Sequence, residues 1–200
     1  MTTITASDVK ALRDRTGAPM MAAKKALVET DGDQEKAIEL LRASGEAKAA
    51  KRAGNVAENG TVQSYIHANG GIGSMVEVDC ETDFVARNDN FVAFARDVAL
   101  HVAAARDLLA ISDDDVPAED RAREVRIATE QAADKPENVR ERIVTGKVDK
   151  WLDEVVLLRQ KHVNEDKHAG QTIEELRAKL ASDTGENVVI RRFARFEVGQ

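Results

Sequence analysis

The residues best equipped for chemistry crowd into one stretch, Asp79-Cys80-Glu81-Thr82-Asp83-Phe84-Val85-Ala86-Arg87. Cys80 is the only thiol in the chain, and with His67 as base it could act as a nucleophile. No third group to orient the histidine is evident, and a lone strand cysteine is more often a small core residue. Asp79, Glu81 and Asp83 could form a carboxylate cluster for a metal, but no glycine-bearing calcium loop follows them. Gly70-Gly71-Ile72-Gly73 is not a phosphate loop: it lacks a Gly-Lys-Ser/Thr ending and sits between two strands. The reading therefore assigns the chain no cofactor, metal or nucleotide site of its own. Phe84 and Val85 remain, two apolar residues in a short polar turn. The ring either tucks into its own core, which a burial gain of ~2–3 kcal/mol favours, or is presented to another molecule.

The elements that must hold this turn are legible on both sides of it. Residues 75–80 alternate, with Val76, Val78 and Cys80 on one face and Glu77 and Asp79 on the other, the pattern of a half-buried strand. Residues 60–67 read as its partner, joined through the hairpin signal Asn69-Gly70-Gly71. Downstream, Asn88 or Asn90 can cap a helix over 90–109 that carries Phe91, Phe94, Val98 and Val102 at helical spacing. Ser112 to Asp115 cap a second helix, with Pro117 in its first turn, running to about residue 133. A third, over 137–145, is broken by Gly146, and a fourth begins near 147 with Val148, Trp151, Leu152 and Val155. Thr172 and Glu175 form a capping box for a helix holding Ile173, Leu176 and Leu180. Gly185 then turns the chain into a last strand over 187–198, one face of which is apolar enough to be core.

The first 54 residues read as three short helices. Ser7-Asp8 starts the first, which carries Val9 and Leu12, and Thr16-Gly17-Ala18-Pro19 breaks it, with Pro19 suited to the first position of the second. The second has Met20, Ala23 and Leu27 on one side. Met20 and Met21 point about 100° apart, so both cannot easily be core, and one facing out would offer an adaptable apolar contact. Asp33 caps the third helix, which carries Ala37, Ile38 and Leu41 and is ended by Ser44-Gly45. Residues 47–55, with Lys48, Lys51 and Arg52, read as a solvated hinge. The expected fold is α+β: a three-helix module over residues 1–54, then an antiparallel sheet packed against helices over residues 55–200.

Composition narrows the function classes. The 200 residues suffice for one sizeable domain, or a small one and a larger one, without a staple. One cysteine precludes an internal disulfide and suits a reducing cytosol. No apolar run spans a bilayer and the start lacks a leader pattern, so a cytoplasmic, soluble protein is expected. A net charge of −7, one Trp and one Tyr argue against direct nucleic-acid binding.

The stretch Cys80 to Arg87, followed by Asn88-Asp89 and Phe91, resembles the TDFVA signature of the elongation factor Ts family, matched by Thr82, Asp83, Phe84 and Val85. Ile4 to Ser7, Leu12-Arg13, Arg15 to Ala18, Met20-Met21, Lys24 to Leu27 and Asp31 to Asp33 are similar to that family's N-terminal module, and residues 195–199 to its last strand. The resemblance implies a ubiquitin-associated-like fold for residues 1–54. It implies a translation factor, not an enzyme, that binds the GTPase elongation factor Tu and exchanges its guanine nucleotide. In that family the Asp-Phe pair enters the GTPase near its magnesium, and the positions of Arg13, Met20 and Met21 make contact with it. Tyr65-Ile66-His67 resembles a Tyr-x-His motif whose histidine touches the GTPase. Long members carry two related core subdomains, whereas this chain has one; short members pair as homodimers, and a lone apolar sheet face favours a twofold partner. The rival reading is a protein–protein adaptor that binds without exchanging nucleotide.

Overall fold

A computed structural model describes residues 4–16, 18 and 20–199; the side chains of residues 46 and 48–50 are outside the description. The reading of Gly17 as a breaker and of Pro19 as a first helical position lies outside the described residues, as does the side chain of Lys48. Three helices open the chain: α1 (Ala6–Thr16), α2 (Met20–Glu29) and α3 (Gln34–Arg52). Thr5 caps α1, two residues earlier than Ser7-Asp8 suggested. Its hydroxyl accepts from the Asp8 amide at 3.2 Å while the Asp8 carboxylate accepts from the Thr5 amide at 2.9 Å. Val9, Leu12, Ala23, Ala26, Leu27 and Ala37 make a small core of their own.

The third helix does not end at Ser44-Gly45, and residues 47–52 are helical rather than a hinge. The reason is packing. α3 lies along α9 (Ile173–Thr184), and a Cβ on Gly45 would stand 4.0 Å from that of Ser182, so the small pair is a close-approach surface. Arg42 bridges to Glu175 at 3.1 Å across the same contact.

The sheet has three antiparallel strands in the order β1 (Asn59–Ile66), β2 (Ile72–Cys80), β3 (Val189–Glu197). Gly70, at φ 70°, makes the hairpin turn between the first two. Val76, Val78 and Cys80 face inward against α5 (Asp89–Ala104). Phe91, Phe94, Ala95, Val98 and Val102 of α5 fill the other side of that core, with Ile173, Leu180 and Val188 closing it. α5 ends at Ala104, five residues before the expected 109. The chain beyond it turns at residues 106–107, and Ala110 then pairs with Val156, which follows α7 (Glu137–Val155): the Leu157 amide donates to the Ala110 carbonyl at 3.0 Å.

The last strand departs from its alternation. A bulge opposite Glu77 and Val78 makes Arg191 an extra residue, since Ile190 pairs with Val78 and Arg192 with Glu77. Beyond the bulge the faces exchange, so the single apolar face expected from the sequence is split. Val188 and Ile190 are buried and Phe193 packs inward, while Phe196 and Val198 are exposed. Outward with them stand Val62, Ile66 and Met75, an apolar face that stays exposed among the described residues.

The second helix of the middle segment begins at Ala118, after a single 3-10 turn (Asp113–Asp115) capped by Ser112; it is α6 (Ala118–Gln131). It packs against α7, which runs unbroken through Gly146. A Cβ at Gly146 meets nothing within 4 Å and its backbone is ordinary helix. Gly146→Ala is therefore expected to stabilise the protein by about 0.5–1 kcal/mol, read as a higher melting temperature; a lower one would contradict the open helical site. Among the described residues no helix is long and apolar enough to cross a membrane.

Candidate functional site

The turn after β2 is a single helical turn, α4 (Asp83–Ala86), rather than irregular chain. Thr82 is its N-cap, extended at φ −125°, and its hydroxyl oxygen accepts from the Val85 amide at 3.4 Å. Asn88 caps the following helix by accepting from the Asn90 amide at 2.8 Å. Two caps six residues apart fix where α4 begins and where α5 takes over. Within that frame the two apolar residues part ways. Val85 and Ala86 lean on the main core, whereas the Phe84 ring points away from it and is 83% exposed. Asp83 is exposed too, paired with Arg87 at 3.1 Å.

Beneath the turn is a polar lattice. The Glu186 carboxylate accepts from the Glu81 and Thr82 amides, both at 3.0 Å, and from the Thr82 hydroxyl at 2.6 Å. Glu81 accepts in return from the Asn187 amide at 2.6 Å and from Asn55 Nδ2 at 3.0 Å. Those two bonds, the Asn55 one foremost, hold the Glu81 carboxyl below the usual range. Asn59 Nδ2 donates to the Glu81 carbonyl at 2.8 Å, and Asn187 Nδ2 donates to the Asn55 carbonyl at 2.9 Å. Glu186 and Asn187 escaped the reading of the sequence, which placed Asn187 in a strand. They lie more than 100 residues from the turn, and nothing local signals the pairing.

The other chemical readings of this stretch lose their groups. Cys80 is fully buried, its thiol donates to the Thr82 carbonyl at 3.2 Å, and burial pushes its pKa up to about 11. His67 sits at the opposite end of the hairpin, about 26 Å away at the rise of a strand, with its Nδ1 3.2 Å from the Tyr65 hydroxyl. Asp79 is bound by Arg191 at 2.7 Å, so the three carboxylates face different partners. Among the described residues no cluster could hold a metal ion.

The remaining site residues of the sequence reading lie on the helical module. Arg13 is exposed near the end of α1. Met20 and Met21 open α2, and both are exposed, Met21 at 75%, so neither belongs to the module's core. The structure thus leaves apolar and cationic side chains outward on α1 and α2, a presented ring at α4, and His67 at the far hairpin end.

The comparisons with known proteins bear on what such a surface is for. The family model described as "Elongation factor TS" matches residues 7–170. The elongation factor Ts of Desulfotalea psychrophila is 51% identical over 199 residues, 98% of each chain. This chain belongs to the elongation factor Ts family. That of Solidesulfovibrio magneticus is 48% identical over 202 residues, covering all of this chain and 99% of the relative. That of Picosynechococcus sp. is 46% identical over 202 residues, again across the whole chain and 91% of the relative. Elongation factor Ts proteins of this length therefore match the chain from end to end, and the match spans the presented turn and the helical module alike.

Proposed function

We propose that the chain is a guanine-nucleotide exchange factor of translation elongation, acting in the cytoplasm on elongation factor Tu bound to GDP. The observation that carries the reading is Phe84, an aromatic ring 83% exposed at the tip of a turn whose backbone is tied down on both sides. A free aromatic on a firm base costs little to order when it enters a partner. Exchange needs no covalent step. It needs a surface that binds the nucleotide-free GTPase better than the loaded one, and linkage then weakens nucleotide binding by the same factor. Phe84 acts as the wedge, Thr82 and Val85 hold its base, and Asp83 perturbs the water network of the partner's magnesium. Residues 1–54 form the docking domain, with Arg13, Met20 and Met21 as contacts, and residues 55–200 form the core domain, where His67 supplies a second anchor. Release of labelled GDP from purified elongation factor Tu tests this: the chain accelerates it if the reading holds, whereas binding without acceleration would leave the adaptor.

The working unit in this proposal is a homodimer. Ile66, Met75, Phe196 and Val198 stand on the outer sheet face, between 52% and 82% exposed, and neighbouring strands place them side by side. A second copy covers this face about a twofold axis, since a self-complementary patch buries itself once. Light scattering at micromolar concentration is expected to give the dimer mass, and Met75→Glu to give the monomer. A monomeric mass for the unmodified chain would contradict the dimer.

A further inference from the structure

We propose that Glu186 is a positioning residue for the Phe84 turn, holding it in the one geometry that presents the ring. The inference rests on the exchange reading above and adds to it a residue 102 positions from the wedge.

The placement starts at the end of α9. Gly185 caps that helix at φ 77°, a conformation that favours glycine, and the reversal delivers Glu186 under residues 81 and 82. Those two residues have run out of sheet. The β1 ladder ends at the Asn59–Cys80 pair, so the Glu81 and Thr82 amides have no strand to donate to. One Glu186 oxygen takes both, and the other takes the Thr82 hydroxyl proton. With its proton committed downward, the Thr82 oxygen offers a lone pair upward to the Val85 amide, and α4 starts there. Bonds to a carboxylate are about twice as strong as neutral ones, so this is the firmest link beneath the turn. The tie is reciprocal, because the Glu81 carboxylate accepts from the backbone of Asn187, next to Glu186. None of these hydrogen bonds involves the Phe84 side chain, so the set acts on the ring through the backbone of its turn.

Five proteins test this by release of labelled GDP from elongation factor Tu: the unmodified chain, Glu186→Ala, Phe84→Ala, the double variant and Glu186→Gln. Glu186→Ala is expected to slow release about tenfold, the loss of charge-assisted bonds that fix one geometry. In the Phe84→Ala background it is expected to add less than about threefold, because of the two partner-facing groups on the turn only Asp83 is left to position. Glu186→Gln, whose amide oxygen can still accept from both backbone amides, restores release to within about threefold of the unmodified chain. If Glu186→Ala fails to fold by circular dichroism, Glu186→Asp replaces it in the same cycle; it keeps the charge but falls a methylene short, and at least threefold slowing is expected. Equal slowing in both backgrounds, or none, overturns the positioning role while leaving the exchange reading intact. An unmodified chain that does not accelerate release overturns both.

Discussion

Phe84→Ala is expected to slow GDP release from elongation factor Tu by about 30-fold or more while leaving the fold untouched. The size follows from the ring's transfer: burying an aromatic side chain in a partner is worth about 2–3 kcal/mol, and a wedge contributes it only where the partner has opened. The lack of structural cost follows from exposure. Val85 and Ala86, not Phe84, pack on the core, so truncating the ring removes almost no internal contact and should move stability by less than about 0.5 kcal/mol. The two readouts together are diagnostic. Slower exchange with an unchanged melting temperature supports the wedge; an unstable variant would mean that the ring serves its own core, and unchanged exchange would mean that another group opens the partner.

The second large effect concerns stability in acid. His101 of α5 is 4% exposed, and both ring nitrogens are committed: Nδ1 accepts from the Val163 amide at 3.1 Å and Nε2 lies 2.9 Å from Gln160 Oε1. His162 is held in the same way, accepting from the Asn164 amide at 3.0 Å with Nε2 2.9 Å from the Asp97 carbonyl. The two rings lie 5.4 Å apart, and His168 lies 4.2 Å from His162 beside Asp97 and Lys167. An added proton on His101 Nδ1 would face a backbone N–H. Burial, with His162 nearby, lowers the His101 pKa from 6.5 to about 4. The unfolded chain takes up its proton near pH 6.5 and the folded chain only near pH 4, so the stability is whole above 6.5 and drains away as pH falls between them. By pH 5, before most carboxylates titrate, the loss is about 2 kcal/mol. Urea unfolding at pH 7.5 and pH 5 measures it. His101→Gln is expected to be less stable at pH 7.5 but to lose most of this difference; an unchanged difference would assign the acid sensitivity elsewhere.

What could be read in advance divides by the range of the interaction. Asn88, Thr172 and Glu175 act within a few residues, so the caps that open α5 and α9 are visible as spacing, whereas the cap at Thr82 lies in a stretch that reads as an irregular turn. The alternation of β2 was equally plain, because its partner strand and its covering helix adjoin it in sequence. Gly45 and Gly146 misled in opposite ways. The first is small because another helix passes close by, and the second simply tolerates a local penalty of about 1 kcal/mol inside a long cooperative helix. The bulge at Arg191 depends on pairing with a strand more than 100 residues earlier, and so does the Glu186 carboxylate beneath Thr82. No periodicity within either segment encodes them. The site was thus legible as a motif and illegible as a mechanism, since the groups that hold the ring out come from the other end of the chain.

The most direct measurement is the solvent reactivity of the Phe84 ring, by hydroxyl-radical footprinting, in the free chain and in its complex with nucleotide-free elongation factor Tu. The expected result is strong labelling of Phe84 alone and strong protection in the complex, with buried Phe91 unlabelled in both as the internal standard. A Phe84 that resists labelling in the free chain, or that labels equally in the two, would contradict the account.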